Sequence, residues 1–402
     1  MQSIPKILIL GGGYGGFKVA TYLQKHLPYS KANITLISKH DYHYQTTLLH
    51  KVAAGTYSAR KARIFFRKIL DSKKIFFIKD TIIKIDPENQ RVFGKNNCYS
   101  YDYLVIALGF SQNTYDIKGV DKFCYSLSSL NSAIRLRNNI ETRFKDFDGD
   151  PLDLHFVVCG SGFTGIEFAA ELATQVNELC AICGIDKSLV KIICISRGEH
   201  ILPMFKTKDA NKARRKLDKL SIEFVKGDVI ECKKDSILVQ LPTEIKEIKA
   251  NNIIWCAGVK GSKVIEDSTC FESKNSRILV DEFLAVPKYK NVFVAGDCGI
   301  SQKRNILNAP TAQLANQMGE YIAKNLIKIL SNQSLDEPFV FKHRGTVCSI
   351  GHTDGVGVVF KISISGELAA FLKNFIENKW IFDIGGIWNV FKKGQFRFRS
   401  SN

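Results

Sequence analysis

The 402-residue chain has no apolar run of the length that crosses a bilayer, which takes roughly 18–20 residues. No leader is expected either. After MQSIP it enters KILIL, which reads as a strand feeding a glycine turn and not as a signal peptide. Both absences predict a protein that stays in the compartment where it is made. Paired cysteines are missing as well. The eleven Cys are odd in number and scattered singly apart from Cys180 and Cys183, which fits a reducing cytosol better than a secreted disulfide framework. The eight His form no ligand cluster, and Cys180-x-x-Cys183 has no second pair to complete a zinc site, so no metal is expected. Acidic residues are scarce: 39 Asp and Glu against 57 Lys and Arg leave a formal charge of +18. Such an excess suits nucleic acid, an anionic membrane surface or an anionic substrate. It concentrates in RKARIFFRK (60–68), KARRKLDK (212–219) and the tail, with no nucleic-acid reader motif beside it.

The length and a hydrophobic fraction of 45% allow two or three domains with a large core. KILILGGGYGGFKVATYL reads as strand, turn and helix start, with Gly11, Gly13 and Gly16 spaced G-x-G-x-x-G. The first glycine permits the tight turn, the second lets a diphosphate reach the backbone, and the third packs helix on strand. The helix N-terminus offers free N–H groups and a favourable dipole to the anion. LHFVVCGSGFTGIEFAAELA repeats the pattern with Gly160, Gly162 and Gly165, and each unit is followed by a second strand, ANITLIS or VKIICIS. Two such units predict two bound nucleotides. In KNVFVAGDCG a strand runs into Gly296-Asp297, where an acid can accept hydrogen bonds from ribityl hydroxyls, and the short strand YDYLVIALG ends at Gly109 near the same nucleotide.

On these motifs the chain resembles the two-dinucleotide-binding-domain flavoproteins over nearly its whole length. The resemblance implies an α/β fold with two Rossmann-like domains and a C-terminal amphipathic membrane-anchoring region. The FAD-binding domain would be discontinuous (1–112 and 287–335), with an NAD(P)H-binding domain (113–286) inserted and a membrane-association region (336–402) at the end. It assigns Gly11, Gly13, Tyr14, Gly15, Gly16, Ser38, Lys39, Gly109, Gly296 and Asp297 to FAD. Gly160, Gly162 and Gly165 go to NAD(P)H, and Gly258 in NNIIWCAGV lies near both. Disulfide reductases of this fold need an early redox Cys pair, and no Cys precedes Cys98.

Closer resemblances are to the type II, single-subunit NADH:quinone oxidoreductases. DYHYQTTLLHKVAAG is similar to their segment beside the flavin, with Thr46 and Thr47, and APTAQLANQMGEYIAKNL to their helix carrying Ala312, Gln313 and Gln317. GFTGIEFAAEL sets Glu167 and Glu171 one turn apart. The resemblance implies hydride transfer from NADH or NADPH to FAD, then two electrons to a membrane quinone. Glu167 would orient the nicotinamide amide, Glu171 would deliver protons or bridge domains, Gln313 and Gln317 would hold quinone carbonyls, and Lys373 would stabilise negative charge. The expected setting is peripheral, on the cytoplasmic face of a bacterial inner membrane, with an anionic lipid surface and a homodimer as partners and no nucleic acid.

The tail fits that setting. In ELAAFLKNFIENK, Leu368, Phe371, Leu372, Phe375 and Ile376 share a helical stripe, with Glu367, Lys373, Asn374, Glu377 and Asn378 away from it. Gly385-Gly386 interrupts the pattern; Ile387, Trp388, Val390 and Phe391 follow, then Lys392, Lys393, Arg397 and Arg399. An aromatic stripe beside a basic flank suits a membrane interface; a helix closing a soluble core or a dimer is the alternative. The cofactor is open too. The position where NADH-binding folds carry an acid is Ser196, followed by Arg197, with Glu199 as the acid's other source. Two rival functions stand beside the main one: sulfide:quinone reduction through Cys159 and Cys348, and a basic flavoprotein that binds nucleic acid.

Overall fold

The computed structural model describes residues 4–301 and 310–396. In chain order the principal elements of the first half are β1 (Lys6–Leu10), α1 (Tyr14–His26), β2 (Asn33–Ser38), α2 (Leu49–Ala54), β3 (Ile75–Lys79), β4 (Tyr103–Ile106), β5 (Tyr125–Ser126), β6 (His155–Cys159), α3 (Phe163–Cys183) and β7 (Lys191–Ser196). There follow α4 (Thr207–Lys219), β8 (Ile222–Lys226), β9 (Asn252–Trp255), β10 (Ala285–Val286), β11 (Tyr289–Val294), α5 (Ala312–Leu330), β12 (Gly345–Ile350), β13 (Asp354–Val359), β14 (Ile362–Ser365) and α6 (Glu367–Lys393). They form two compact units. Unit 1 is Met1–Tyr44, Arg63–Ser111 and Val259–His343; unit 2 is Gln45–Ala62, Gln112–Gly258 and Arg344–Asn402.

Unit 1 is built on a six-stranded sheet ordered β10-β11-β4-β1-β2-β3, parallel except for the short edge pair β10–β11. KILIL is a near-continuous apolar run because β1 is central and covered on both faces; four of its five residues are buried. α1 and α5 pack nearly backbone to backbone. A Cβ on Gly319 would fall 2.4 Å from Gly15 O, so only glycine fits. Thr311 caps α5, its side chain accepting from Leu314 N at 3.1 Å, which satisfies one of the helix's orphan donors.

Unit 2 has an all-parallel sheet ordered β5-β9-β6-β7-β8. α3 leaves β6 through the second glycine turn and ends at Gly184, whose φ of 68° is the left-handed closing residue that favours glycine. β12, β13 and β14 form an antiparallel sheet on which α6 packs. α6 breaks at Gly386 (φ 72°, ψ −179°) and continues to Lys393, so the interruption read in Gly385-Gly386 is a kink between two helical limbs. Gln395 then folds back, its N–H donating to Asn378 Oδ1 at 2.8 Å.

α6 exposes an apolar stripe and buries two polar side chains among apolar ones. Leu368, Phe371, Phe375, Ile376, Phe382, Trp388 and Phe391 are exposed, whereas Asn374 and Glu377 are buried with Trp380, Ile381 and Ile384. Arg397 and Arg399 of the basic flank lie outside the described residues. Among the described residues no helix is long and apolar enough to cross a membrane.

Candidate active site

The two glycine turns have the same construction, each within its own unit. In unit 1 a Cβ on Gly11 would meet Ala107 O at 2.2 Å and one on Gly16 would meet Gly11 O at 2.1 Å, while a Cβ on Gly13 would meet nothing within 4 Å. In unit 2 a Cβ on Gly160 would meet Ala257 N at 2.9 Å and one on Gly165 would meet Gly160 O at 2.0 Å, and Gly162 again faces open space. The outer glycines therefore hold strand, turn and helix together, and the middle one leaves the helix N-terminus accessible. That is the cradle a diphosphate needs, so the residues present fit a dinucleotide in each unit.

Other features of unit 1 agree with that fit. Tyr14 opens α1, its ring edge-on to His43. Gly15 meets α5 and Ala295. Ser38 ends β2, and the exposed Lys39 follows it. Gly109 borders open space, and Gly296 leads directly into Asp297. Burial pushes the Asp297 carboxyl up to about 6, against the pull of Arg277. A desolvated carboxylate of this kind gains from hydroxyl donors. On α5, Ala312 and Gln313 form the first turn. Gln317 uses both ends of its amide on Lys342, donating to its carbonyl and accepting from its N–H at 2.9 Å each.

Unit 2 gathers charged side chains that the sequence scatters over more than 300 residues. Glu167 Oε1 accepts from Ser349 N at 3.0 Å and lies 2.9 Å from Lys373 Nζ; its Oε2 is 3.7 Å from His50 Nδ1. Burial alone would raise the Glu167 carboxyl, but Lys373, His50 and the Ser349 amide together hold it below its ordinary value. Burial would lower the Lys373 ammonium, and Glu167 and Glu377 hold it above instead. His50 is pushed down by its burial, against the pull of Glu167 and Glu171, so at neutral pH Lys373 is the cation that meets Glu167.

Glu377 continues the cluster. Its Oε2 accepts from Gln395 Nε2, whose amide oxygen takes a bond from Lys51 Nζ, and Lys51 also donates to Asn374 Oδ1 at 3.1 Å. Glu171, one turn on from Glu167, accepts from the Thr56 hydroxyl and sits 3.8 Å from His352 Nε2, with its second oxygen buried and unpartnered. Thr46 and Thr47 lie in the short turn Thr46–Leu48 that opens α2. Sequence reasoning singled out Glu167, Glu171 and Lys373 but missed His50, Lys51, Thr56, Ser349, His352, Glu377 and Gln395. Apart from the Lys373–Glu377 pair and the Thr56 bond to the Lys51 carbonyl, the bonds that assemble them span 18 to 344 residues, most of them far beyond any local pattern.

The remaining candidates are Ser196, Arg197 and Gly258 beside the parallel sheet of unit 2, Cys159 at the end of β6, and Cys348 in β12. Ser196 is buried at the end of β7, its Oγ 2.6 Å from Ser161 Oγ. Arg197 is exposed and paired with Asp228, and Gly258 has φ +73° with the Tyr115 ring against it. Cys159 and Cys348 are buried, and burial pushes both thiols well above their ordinary value. Such thiols stay protonated and are poor nucleophiles.

Residues 5–318 match the family described as pyridine nucleotide-disulphide oxidoreductase. Two curated proteins of Staphylococcus aureus, from strains MSSA476 and NCTC 8325, are 38% identical to the chain over 405 aligned positions, covering 98% of it and all of each relative. Both carry the name type II NADH:quinone oxidoreductase. The chain belongs to the type II NADH:quinone oxidoreductase family. Among solved structures, NDH2 from Plasmodium falciparum in complex with NADH superposes with a TM-score of 0.89 at 22% identity, covering 97% of each chain. The sulfide:quinone oxidoreductase of Aquifex aeolicus superposes with 0.78 at 19% identity, covering 95% and 91%. At these identities the two structures establish the shared fold.

Proposed function

We propose that the chain oxidises NADH and reduces a membrane quinone. The repeated glycine turn, with its outer glycines closed and its middle glycine open in both units, carries this reading together with the family. FAD held there would supply the two-electron chemistry that links NADH oxidation to quinone reduction.

The residues of unit 1 hold FAD. The Gly11–Gly16 turn takes the diphosphate, and Asp297 accepts hydrogen bonds from ribityl hydroxyls. The Gly160–Gly165 turn of unit 2 takes the NADH diphosphate. Quinone reduction consumes two protons as well as two electrons. Lys373 is a buried cation flanked by Glu167 and Glu377, which hold it protonated, so it offers positive charge to the reduced flavin and quinone. Glu171, with one buried oxygen unpartnered, is the position we assign to proton delivery. Gln313 is our choice for a quinone carbonyl, and Gln317 fixes the Lys342 segment that it already binds.

A quinone is dissolved in lipid, and α6 is the surface we assign to the bilayer. It exposes a stripe of aromatic and aliphatic side chains and buries Asn374 and Glu377, and Lys392 stands at its end. This composition suits a helix lying in the plane of the interface, with the protein peripheral on the cytoplasmic face.

Quinone-dependent NADH oxidation by the purified, FAD-loaded protein tests the function. Turnover with NADH and a soluble quinone, and none with sulfide in place of NADH, is expected. Quinone reduction driven by sulfide alone would favour the rival reading.

A further inference from the structure

In a dinucleotide-binding fold the end of the second strand faces the adenosine ribose. A carboxylate there binds the 2′-hydroxyl and repels a 2′-phosphate. In unit 2 that strand is β7, and it ends on Ser196. The hydroxyl is tied to the glycine turn through Ser161 Oγ at 2.6 Å and donates to Gly198 O at 3.1 Å. The acids close by in this part of the sheet are already matched to cations. Asp228 Oδ1 accepts from Arg197 Nε at 2.6 Å, and Glu199 Oε1 is 3.2 Å from Lys226, the residue paired with Ser196 in the β7–β8 register. Neither acid is a bare carboxylate of the kind that rejects a phosphate.

Arg197 is placed to do the opposite. Its side chain is 71% exposed, and its guanidinium lies 5.7 Å from the centre of the Tyr115 ring. That ring is itself pressed on Gly258, where a Cβ would come within 2.3 Å of the Tyr115 hydroxyl. The contact to Asp228 uses Nε and leaves the two terminal amino groups. A guanidinium fork of this kind makes parallel bonds to a phosphate. Exposed ion pairs such as Arg197–Asp228 are weak and exchange partners readily.

We infer that the nucleotide site of unit 2 accepts a 2′-phosphate: Arg197 binds it, Ser196 stands where a repelling carboxylate would, and NADPH serves as a hydride donor alongside NADH. This rests on the reading that the Gly160–Gly165 turn binds the reduced nicotinamide nucleotide.

Isothermal titration of the FAD-loaded protein with 2′,5′-ADP and with 5′-AMP tests the inference without turnover. The expected result is binding of 2′,5′-ADP about tenfold tighter, or about 1.4 kcal/mol, with the gap shrinking as salt is raised. Arg197→Ala should bring the two ligands to parity, and Ser196→Glu should reverse the order. In parallel, NADPH should reduce the flavin with a second-order rate constant within about tenfold of that for NADH. Equal or tighter binding of 5′-AMP, or a preference that Arg197→Ala leaves intact, overturns the inference alone. If neither nucleotide binds and NADH fails to bleach the flavin, the inference falls together with the reading beneath it.

Discussion

Lys373 Nζ lies 2.9 Å from Glu167 Oε1, with side-chain exposures of 12% and 6%. The two groups come from helices α6 and α3. Removing one charge from such a pair leaves the other buried without compensation, which costs about 3–5 kcal/mol. Lys373→Met should therefore lower the unfolding free energy by about that much, and Glu167→Gln combined with it should restore more than half. Denaturant titration of the wild type, the two single variants and the double variant measures the coupling. Strictly additive losses would mean that the pair is not coupled.

His43 gives the acid side of the stability curve. Its buried imidazole, with Nδ1 3.0 Å from Gly12 O, is lowered to about 4 by its burial, and the bond to Gly12 only partly opposes the shift. An unfolded His protonates near pH 6.5. Between those two values the unfolded chain binds a proton that the folded chain refuses, so stability is full above the unfolded value and falls as pH drops. Each such imidazole contributes a slope of about 1.4 kcal/mol per pH unit. His50 is shifted in the same direction. His43→Gln should remove one imidazole's share of the slope in urea titrations from about pH 7 down to about pH 5. An unchanged slope would place the titrating group elsewhere.

Asp297 ties FAD affinity to pH. Burial raises its carboxyl to about 6, and hydroxyl donors favour the charged form. Binding of FAD then releases a proton, so affinity should climb as pH rises toward about 6 and level off above it. Asp297→Asn should flatten the profile and weaken binding by about tenfold or more, since hydrogen bonds to a charged group contribute about 1.5–3 kcal/mol. Fluorescence titration of apoprotein with FAD reads both effects. A pH-independent affinity in the wild type would contradict this role.

The exposed stripe of α6 gives a prediction about lipid. Trp388 and Phe391 are 74% and 66% exposed, with their rings in contact. Replacing both with Ser should leave the FAD spectrum and the melting temperature unchanged. Binding to anionic vesicles should fall at least about 100-fold, since two aromatic side chains that each contribute about 1.5–3 kcal/mol when fully buried give about 3–6 kcal/mol together. Vesicle sedimentation decides. Undiminished binding would move the lipid contact off α6.

The sequence disclosed the two nucleotide folds because their signals are local. A strand, three glycines at fixed spacing and a helix lie within twenty residues, and the contacts at Gly16 and Gly165 are those the spacing implies. It also disclosed the apolar stripe of α6. It did not disclose that the opposite, polar face is buried. Periodicity separates two faces but does not say which one meets the protein. Here that depends on remote partners: Gln45 donates to the Glu377 carbonyl across 332 residues, and Lys51 reaches Asn374 across 323. The same contacts make α6 part of the core of unit 2, so deleting it would do more than release the protein from a membrane. Point substitutions on its outer face are the cleaner probe.

The central claim is that one chain takes electrons from a reduced nicotinamide nucleotide and gives them to a quinone in two separable steps. Anaerobic double-mixing stopped-flow on the FAD-loaded protein tests it most directly. The account predicts that NADH bleaches the flavin absorbance in the first mix and that a soluble quinone restores it in the second, with Lys373→Met slowing the second step at least tenfold more than the first. Flavin that NADH does not bleach, or bleached flavin that a quinone leaves unchanged, would contradict it.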